Sequence, residues 1–429
     1  MNTRRVVPSA PSAERAALLT LLTRATRGAD PDTSLDELAG LATAAGAEVV
    51  VRAVQERASA NPATLFGKGK AAEFAAACQA ANVDVVIIDH VLTPAQARNL
   101  EEIFQCRVID RTELILDIFA RRARTREGKL QVELAQLQYM LPRLVGSATA
   151  LSRLGGGIGT RGPGETKLET DRRRIRHRVA ALKREIAEVS ERRGYLRERR
   201  RRTEVPTVAL VGYTNAGKTT LFNALTGDHA VVSDALFVTL DPLVRRVKLP
   251  DARQIIVSDT VGFIDRLPHQ LVAAFRATLE EVIHADLLLH VIDAAEPDRD
   301  RRERAVRDVL TEIGAGHVPM LEVFNKCDRI ATVDRDRLVA TAPAAVCVSA
   351  ATGDGVRELI DLVASRVAMD TEATTFTLDF SDDADRQILN ELHRHARVTS
   401  QVTVGSQVTV EAEVPRRIRE RFQRAKEIA

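Results

Sequence analysis

Tryptophan is absent from this 429-residue chain and aromatic residues make up only 3% of it. That argues against a single-strand nucleic-acid binder stacking successive bases on aromatic platforms. There are four cysteines, Cys78, Cys106, Cys327 and Cys347, with no CxxC pair, so neither a zinc ribbon nor a disulfide framework is expected, and a reducing compartment suits them. No run of about 18 consecutive apolar residues occurs, and the opening MNTRRVVPSAPSAER lacks an apolar h-region. A membrane span and export are therefore disfavoured, and a cytoplasmic location is expected. A large net charge is missing too, the total being +3. Its distribution is uneven: residues 171–202 hold 14 Lys+Arg against 5 Asp+Glu, a net +9, which leaves −6 for the rest. A cationic arm on a mildly acidic body is either a solvated helix face or an electrostatic footprint for nucleic acid.

The length calls for several domains. Residues 16–110 alternate short apolar runs (AALLTLL, 48–54, 83–89, 107–110) with helical patterns starting at Ser34, at Lys70 and after Pro94. This pattern predicts a parallel sheet covered by helices, hence an α/β domain over residues 1–125. Within it, Gly67-Lys68-Gly69-Lys70 lacks the spacing and the following Ser/Thr of a phosphate loop and reads as a turn before a helix.

Leu130, Leu134, Leu137, Leu141 and Leu144 are spaced 4, 3, 4, 3, and Ile175, Val179, Leu182, Ile186 and Val189 repeat that spacing inside the basic arm. Two narrow apolar stripes need a partner surface, so residues 126–202 are predicted to form an antiparallel helical hairpin. Its connection, residues 146–164, has six glycines in GGGIGTRGPG and is expected to be an irregular tip. Arg153, Arg161 and Lys167 around the tip, with Arg172, Arg173 and Arg174 in the arm, are the candidate RNA contacts. Residues 203–369 alternate strands and helices as a third, P-loop domain. Residues 370–429 read as a small α+β domain: a strand at 374–380, a helix at 383–396, two strands around Gly405 and a basic helix at 415–426.

Gly212-Tyr213-Thr214-Asn215-Ala216-Gly217-Lys218-Thr219 matches GxxxxGK[ST] between a strand (207–211) and a helix (220–225). Glycines permit a loop whose amides face phosphates, Lys218 reaches the β/γ oxygens, and Thr219 ligates Mg²⁺. Asn325-Lys326-Cys327-Asp328 follows an apolar strand about 107 residues after Lys218. The Asp328 carboxylate can accept from guanine N1–H and its amino group, whereas adenine would leave it unpaired. GTP is the expected nucleotide, with Lys326 along the base, Asn325 bracing the loop, and Ser349-Ala350-Ala351 offering amides to the guanine oxygen. Asp259-Thr260-Val261-Gly262 is expected to sense the γ-phosphate, Asp259 holding Mg²⁺ through water and the Gly262 amide meeting the phosphate. Thr239, in Phe237-Val238-Thr239-Leu240-Asp241, is the candidate second hydroxyl ligand. A water-orienting Gln is missing: Phe263 stands where it would be, so intrinsic hydrolysis is expected to be slow, on the order of 10⁻³ s⁻¹ or less, unless Asp265 or Arg266 replaces it.

With these residues in place the chain resembles the HflX family of ribosome-associated GTPases, in the Obg-HflX superfamily. The resemblance covers nearly the whole length, through DRTELILDIFARRARTREGKLQVELAQLQYMLPRL, GGGIGTRGPGETKLETDRRRI, GYTNAGKTTLFNAL, LFVTLDP, DTVGFI and NKCD. It implies a protein, monomeric when free, whose GTP form binds the large ribosomal subunit and its rRNA. It also implies dissociation of stalled or idle ribosomes and hydrolysis stimulated by the ribosome, with the hairpin tip directed at the peptidyl-transferase region. Two other functions stay open at this point: a nucleotide-gated assembly or storage factor that binds large subunits without splitting ribosomes, and an ATP-driven RNA remodeller using the N-terminal domain, for which no adequate phosphate-binding motif is present.

Overall fold

The computed structural model describes residues 13–23, 31–154, 163–203, 205–230, 242–251, 253–265, 276–342, 344–367 and 371–415, with 232, 236, 237, 239, 419, 422 and 426–428. The chain divides into two units, the division falling at residue 186 inside a long helix.

The first unit alternates β1 (Arg15–Leu22), α1 (Pro31–Ala44), β2 (Glu48–Glu56), α2 (Lys68–Ala80), β3 (Val85–Ile88), α3 (Pro94–Phe104), β4 (Arg107–Asp110) and α4 (Arg111–Arg122). Its sheet has the order β2-β1-β3-β4 with every pair parallel. The near-continuous apolar run of β1 is buried along almost its whole length, as a parallel strand covered on both faces requires. Gly67 is the N-cap of α2, and Lys70 pairs with Glu73 within that helix. The Gly-Lys repeat is thus the turn into a helix. Thr93 and Gln96 close a capping box on α3, whose first residue is Pro94, a start dictated locally by the sequence.

The hairpin is α5 (Arg126–Leu154) and α6 (Pro163–Thr203). Leu130 and Leu134 pack on Leu182, flanked by Leu137, Val179 and Ile186. Arg178 Nε donates to Glu133 at 2.7 Å and Arg126 lies 3.8 Å from Glu185, so sequence runs in opposite directions along the two helices. The expected irregular connection from 146 is corrected: α5 continues through Pro142 to Leu154, α6 begins at Pro163, and the rest of the connection lies outside the described residues. Proline in a helix interior removes one backbone bond and crowds the preceding turn. Here that turn is anchored from outside. Arg143 donates to Leu92 O and to Asp110, both at 2.9 Å, while its guanidinium stacks 3.4 Å above the Tyr139 ring.

The second unit contains β5 (Thr207–Gly212), α7 (Lys218–Thr226), β6 (Leu243–Lys248), β7 (Gln254–Asp259), α8 (Arg276–Ile283), β8 (Leu287–Asp293), α9 (Arg299–Glu312), β9 (Met320–Asn325), a 3₁₀ turn (Cys327–Arg329), α10 (Thr332–Thr341), β10 (Val346–Cys347) and α11 (Val356–Val367). The sheet order is β10-β9-β8-β5-β7-β6, parallel except for β6. Its core is built on Val208, Leu210, Phe222, Val257, Leu289 and Leu321. The carboxyl ends of β5, β7, β8 and β9 come out at one edge, where ligands of open α/β sheets bind.

The chain continues with β11 (Thr371–Asp379), α12 (Asp383–His395), β12 (Arg397–Val404), β13 (Gln407–Pro415) and β14 (Lys426–Ile428), an antiparallel sheet in the order β12-β13-β11-β14. The helix expected at 415–426 is corrected at both ends: Pro415 closes β13, and Lys426 opens β14, which pairs with Thr375, Phe376 and Thr377 of β11. The free edge of β11 offers unpaired backbone groups, and an extended segment satisfies them where a helix cannot.

Among the described residues no helix is long and apolar enough to cross a membrane, and the four cysteines are free, three buried and Cys106 half-buried. Leu182 is fully buried at the centre of the hairpin seam. Leu182→Ala is expected to destabilise the hairpin by ~2–4 kcal/mol, read as faster amide exchange along α5 and α6 while β5, β7 and β8 keep their protection.

Candidate nucleotide site

The loop from Gly212 to Thr219 joins β5 to α7, and its shape follows from its residues. Gly217, the N-cap of α7, has φ +89°, and a Cβ there would lie 2.2 Å from Asn325 Nδ2. Only glycine meets both conditions without strain. Asn215 takes a left-handed conformation (φ +60°), which its residue type tolerates. Lys218 is almost wholly buried, and its ammonium donates to Tyr213 O at 2.8 Å and to Gly212 O at 3.2 Å. Burial, reinforced by the charge of Lys326, pulls its pKa down to about 8 against the opposing pull of Asp259. An anion in the loop would restore the charged form.

Three oxygens converge beside Lys218. Thr219 Oγ1 lies 2.8 Å from both Thr239 Oγ1 and Asp259 Oδ2, and Thr239 Oγ1 is 3.0 Å from that same carboxylate oxygen. Asp259 has no exposed surface, and its Oδ1 is buried without a hydrogen-bond partner. Burial raises its pKa, with Lys218 and the two threonine hydroxyls opposing. A hard-oxygen set with one orphaned carboxylate oxygen fits Mg²⁺, which takes one or two carboxylates and completes its shell with phosphate and water. Among the described residues no cluster of three His, Cys, Asp or Glu that could hold a metal occurs elsewhere.

The segment after Asp259 is bound to the P-loop through its backbone. Thr260 Oγ1 donates to Leu210 O at 2.6 Å, Phe263 N to Gly212 O at 3.0 Å, and Thr214 N to Phe263 O at 2.7 Å. Gly262 lies so near that a Cβ would come within 2.9 Å of Lys218 Nζ and Thr214 Cα. The Phe263 side chain is buried. The Asp265 carboxylate is taken up by Arg301 at 2.5 Å, and Arg266 lies outside the described residues.

On the base side, Asn325 ends β9 and is 2% exposed. Its Nδ2 donates to Ala216 O at 2.9 Å, and its Oδ1 accepts from Ala350 N at 3.0 Å. Lys326, at φ +63°, donates to Asn215 O at 2.8 Å and pairs with Asp293 at 2.6 Å. Cys327 is buried, with its amide on Val348 O, while Asp328 is exposed in the 3₁₀ turn. Ser349 is buried, Ala350 nearly so, and Ala351 is exposed. The structure therefore gathers Gly212–Thr219, Thr239, Asp259–Gly262, Asn325–Asp328 and Ser349–Ala351 at one sheet edge. Sequence reasoning missed Asp293; its signal was an acidic residue closing the apolar run LLLHVID.

Other singled-out positions lie apart. Phe237 is grouped with the first unit, its ring edge-on to Phe119 with centroids 4.7 Å apart, so its side chain is an apolar anchor and no part of the nucleotide loops. Val238, Leu240 and Asp241 lie outside the described residues, as does Arg161. Arg153 and Lys167 fall within α5 and α6, with side chains outside the description. Arg173 and Arg174 are exposed on α6, Arg172 is half-buried, and Arg174 stands 3.8 Å from Asp171.

Two outcomes are expected. Asn325→Ala leaves Ala216 O and Ala350 N unpaired, about 1–3 kcal/mol each, and should weaken GDP binding at least tenfold by calorimetry, with Asn325→Asp falling in between. His290, on β8, is 1% exposed, and burial lowers its pKa to about 3. In an NMR titration its ring should stay neutral from pH 8 down to pH 5. A depressed folded pKa in a base means that the unfolded chain binds the extra proton, so His290 costs stability as pH falls below the ordinary histidine range.

Family models match in chain order: "GTP-binding GTPase N-terminal" over residues 32–120, "GTP-binding GTPase Middle Region" over 122–200 and "50S ribosome-binding GTPase" over 207–326. A GTPase HflX from Caldanaerobacter subterraneus subsp. tengcongensis is 45% identical over 413 residues, covering 95% of this chain and 93% of the relative. The GTPase HflX of Escherichia coli is 48% identical over 348 residues, 80% and 81% of the two chains. Among solved structures, a GTP-binding protein from Sulfolobus solfataricus in complex with GDP is 24% identical, covers 82% of this chain and 98% of its own, and superposes with a TM-score of 0.44. A guanine-nucleotide-binding, GTP-hydrolysing protein is what the two HflX relatives and the matched family models establish: the chain belongs to the HflX family of GTPases.

Proposed function

We propose that the GTP form of this protein binds the large ribosomal subunit and dissociates stalled or idle ribosomes into subunits, with hydrolysis accelerated by the ribosome. The observation that carries this reading is the basic helix α6, which presents exposed Arg173, Arg174 and Arg176, on a chain whose GTPase domain matches a 50S ribosome-binding model. Arginine forks suit phosphate, and a helix of 41 residues reaches about 60 Å at the usual rise.

In this proposal the P-loop amides and the Lys218 ammonium hold the β/γ oxygens, and the Asp328 carboxylate selects guanine. Thr219, Thr239 and, through water, Asp259 would hold Mg²⁺, which neutralises charge on the phosphate oxygens during transfer. Lys218 supplies positive charge from a nearly dry position, where each electrostatic interaction is strengthened. The Phe263 side chain offers no hydrogen bond to an attacking water. Intrinsic turnover therefore stays slow, on the order of 10⁻³ s⁻¹ or less, until the ribosome orders the site or supplies the missing group. GTP favours the docked form, and loss of the γ-phosphate frees Thr239 and Gly262 for release.

A sucrose gradient of intact ribosomes with GTP, GDP or a slowly hydrolysed analogue tests the proposal. Conversion of 70S particles into subunits with GTP or the analogue, and not with GDP, is expected. A protein-bound but unsplit particle would identify a storage or assembly factor instead.

A further inference from the structure

The segment that begins at Asp259 is fixed at its far end by a second set of contacts that the GTPase motifs do not include. The Asp265 amide donates to the Tyr213 hydroxyl at 2.9 Å. The Asp265 carboxylate receives Arg301 NH1 at 2.5 Å, and the Nε of that guanidinium donates to Asp298 at 2.5 Å. The neighbouring Arg302 stands over the Tyr213 ring, 4.9 Å from its centroid, and pairs with Glu296 at 2.8 Å. Arg301 and Arg302 are successive residues in the first turn of α9, so one helix end holds the side chain of Asp265 directly and packs on the tyrosine that holds its backbone. All of these ion-paired side chains are partly withdrawn from solvent, where a charge-assisted hydrogen bond is stronger than on an open surface.

We infer that Tyr213 and Arg301 are positioning residues that hold residues 259–265 against the P-loop and thereby set the preference for a nucleoside triphosphate over a diphosphate. The inference rests on the reading of residues 259–262 as the γ-phosphate sensor. Preorganisation links these contacts to the choice of nucleotide. With Asp259 tied to Thr219 at one end and Asp265 tied to Tyr213 and Arg301 at the other, Gly262 has a short, doubly anchored tether beside Lys218. A triphosphate then has less of this stretch to order when it binds, whereas a diphosphate, which ends before it, gains nothing from the clamp. The tyrosine matters through its hydroxyl: Phe would keep the ring under Arg302 and lose the bond to Asp265 N. The clamp also commits the Asp265 carboxylate to Arg301, which keeps it from acting as a water-orienting group.

The test uses the full-length protein with Mg²⁺ and measures affinities for fluorescent GDP and a fluorescent, slowly hydrolysed GTP analogue. Tyr213→Phe and Arg301→Ala are each expected to lower the analogue-to-GDP affinity ratio about fivefold, the equivalent of one hydrogen bond of ~1 kcal/mol. Arg301→Lys, which keeps the charge, should recover part of it. A general loss of folded protein scales both affinities together and leaves the ratio alone, so a ratio that stays at the parent value, or rises, overturns the inference. Gly262→Ala separates the two levels of the argument. If it lowers the ratio while Tyr213→Phe and Arg301→Ala do not, the clamp is refuted and the sensor stands. If none of the three lowers it, the sensor reading fails and the clamp falls with it.

Discussion

Asn325 uses both ends of its amide inside the protein: the donor on the P-loop carbonyl of Ala216, the acceptor on the amide of Ala350. Three loops from three strands, which would otherwise move independently, thereby share one buried side chain. Gly217 packs against that amide so closely that it has no room for a Cβ, and Lys326, next in sequence, reaches back to Asn215 O and across to Asp293. The phosphate-binding and base-recognising parts are therefore mechanically one object. Its precision comes from buried polar groups satisfying one another in a low-dielectric setting, where a missing partner is costly.

The phosphate side is organised differently. Asp259, Thr219 and Thr239 hold one another through hydrogen bonds at 2.8–3.0 Å, but one carboxylate oxygen has no partner, and the Lys218 charge is answered by backbone carbonyls. Such an arrangement suits a cation at the carboxylate and an anion at the ammonium. The two sides thus differ in kind, one knit together by a buried amide and the other by charged and hydroxyl groups.

How much of this was legible beforehand depended on whether chemistry or context fixes a residue. The loop at 212–219, Asp259 and the Asn325–Asp328 string could be read directly because phosphate, Mg²⁺ and guanine tolerate few residue types at those spacings. The seam of Leu130, Leu134 and Leu182 was legible because periodicity follows from helix geometry alone. The end of the first hairpin helix was misread: the connection was expected from 146, ahead of the glycine-rich string, whereas the helix runs on to Leu154. Lys426 was misread as the end of a helix because the conformation of 426–428 is set by the edge of β11 and by no pattern of its own. Asp293, Arg301 and the Tyr213 hydroxyl were hidden for a similar reason, since each acts only on partners brought close by the sheet.

Cys327, third in the Asn325–Asp328 string, sits in a small apolar cluster with Cys347 and Phe324. Burial, reinforced by the neighbouring Cys347, pushes its thiol pKa well up, so the protonated form dominates at neutral pH. Peroxides and alkylating electrophiles attack the thiolate form. The sulfur carried inside the string that also holds Asn325 and Lys326 is consequently shielded from such reagents by the cluster around it.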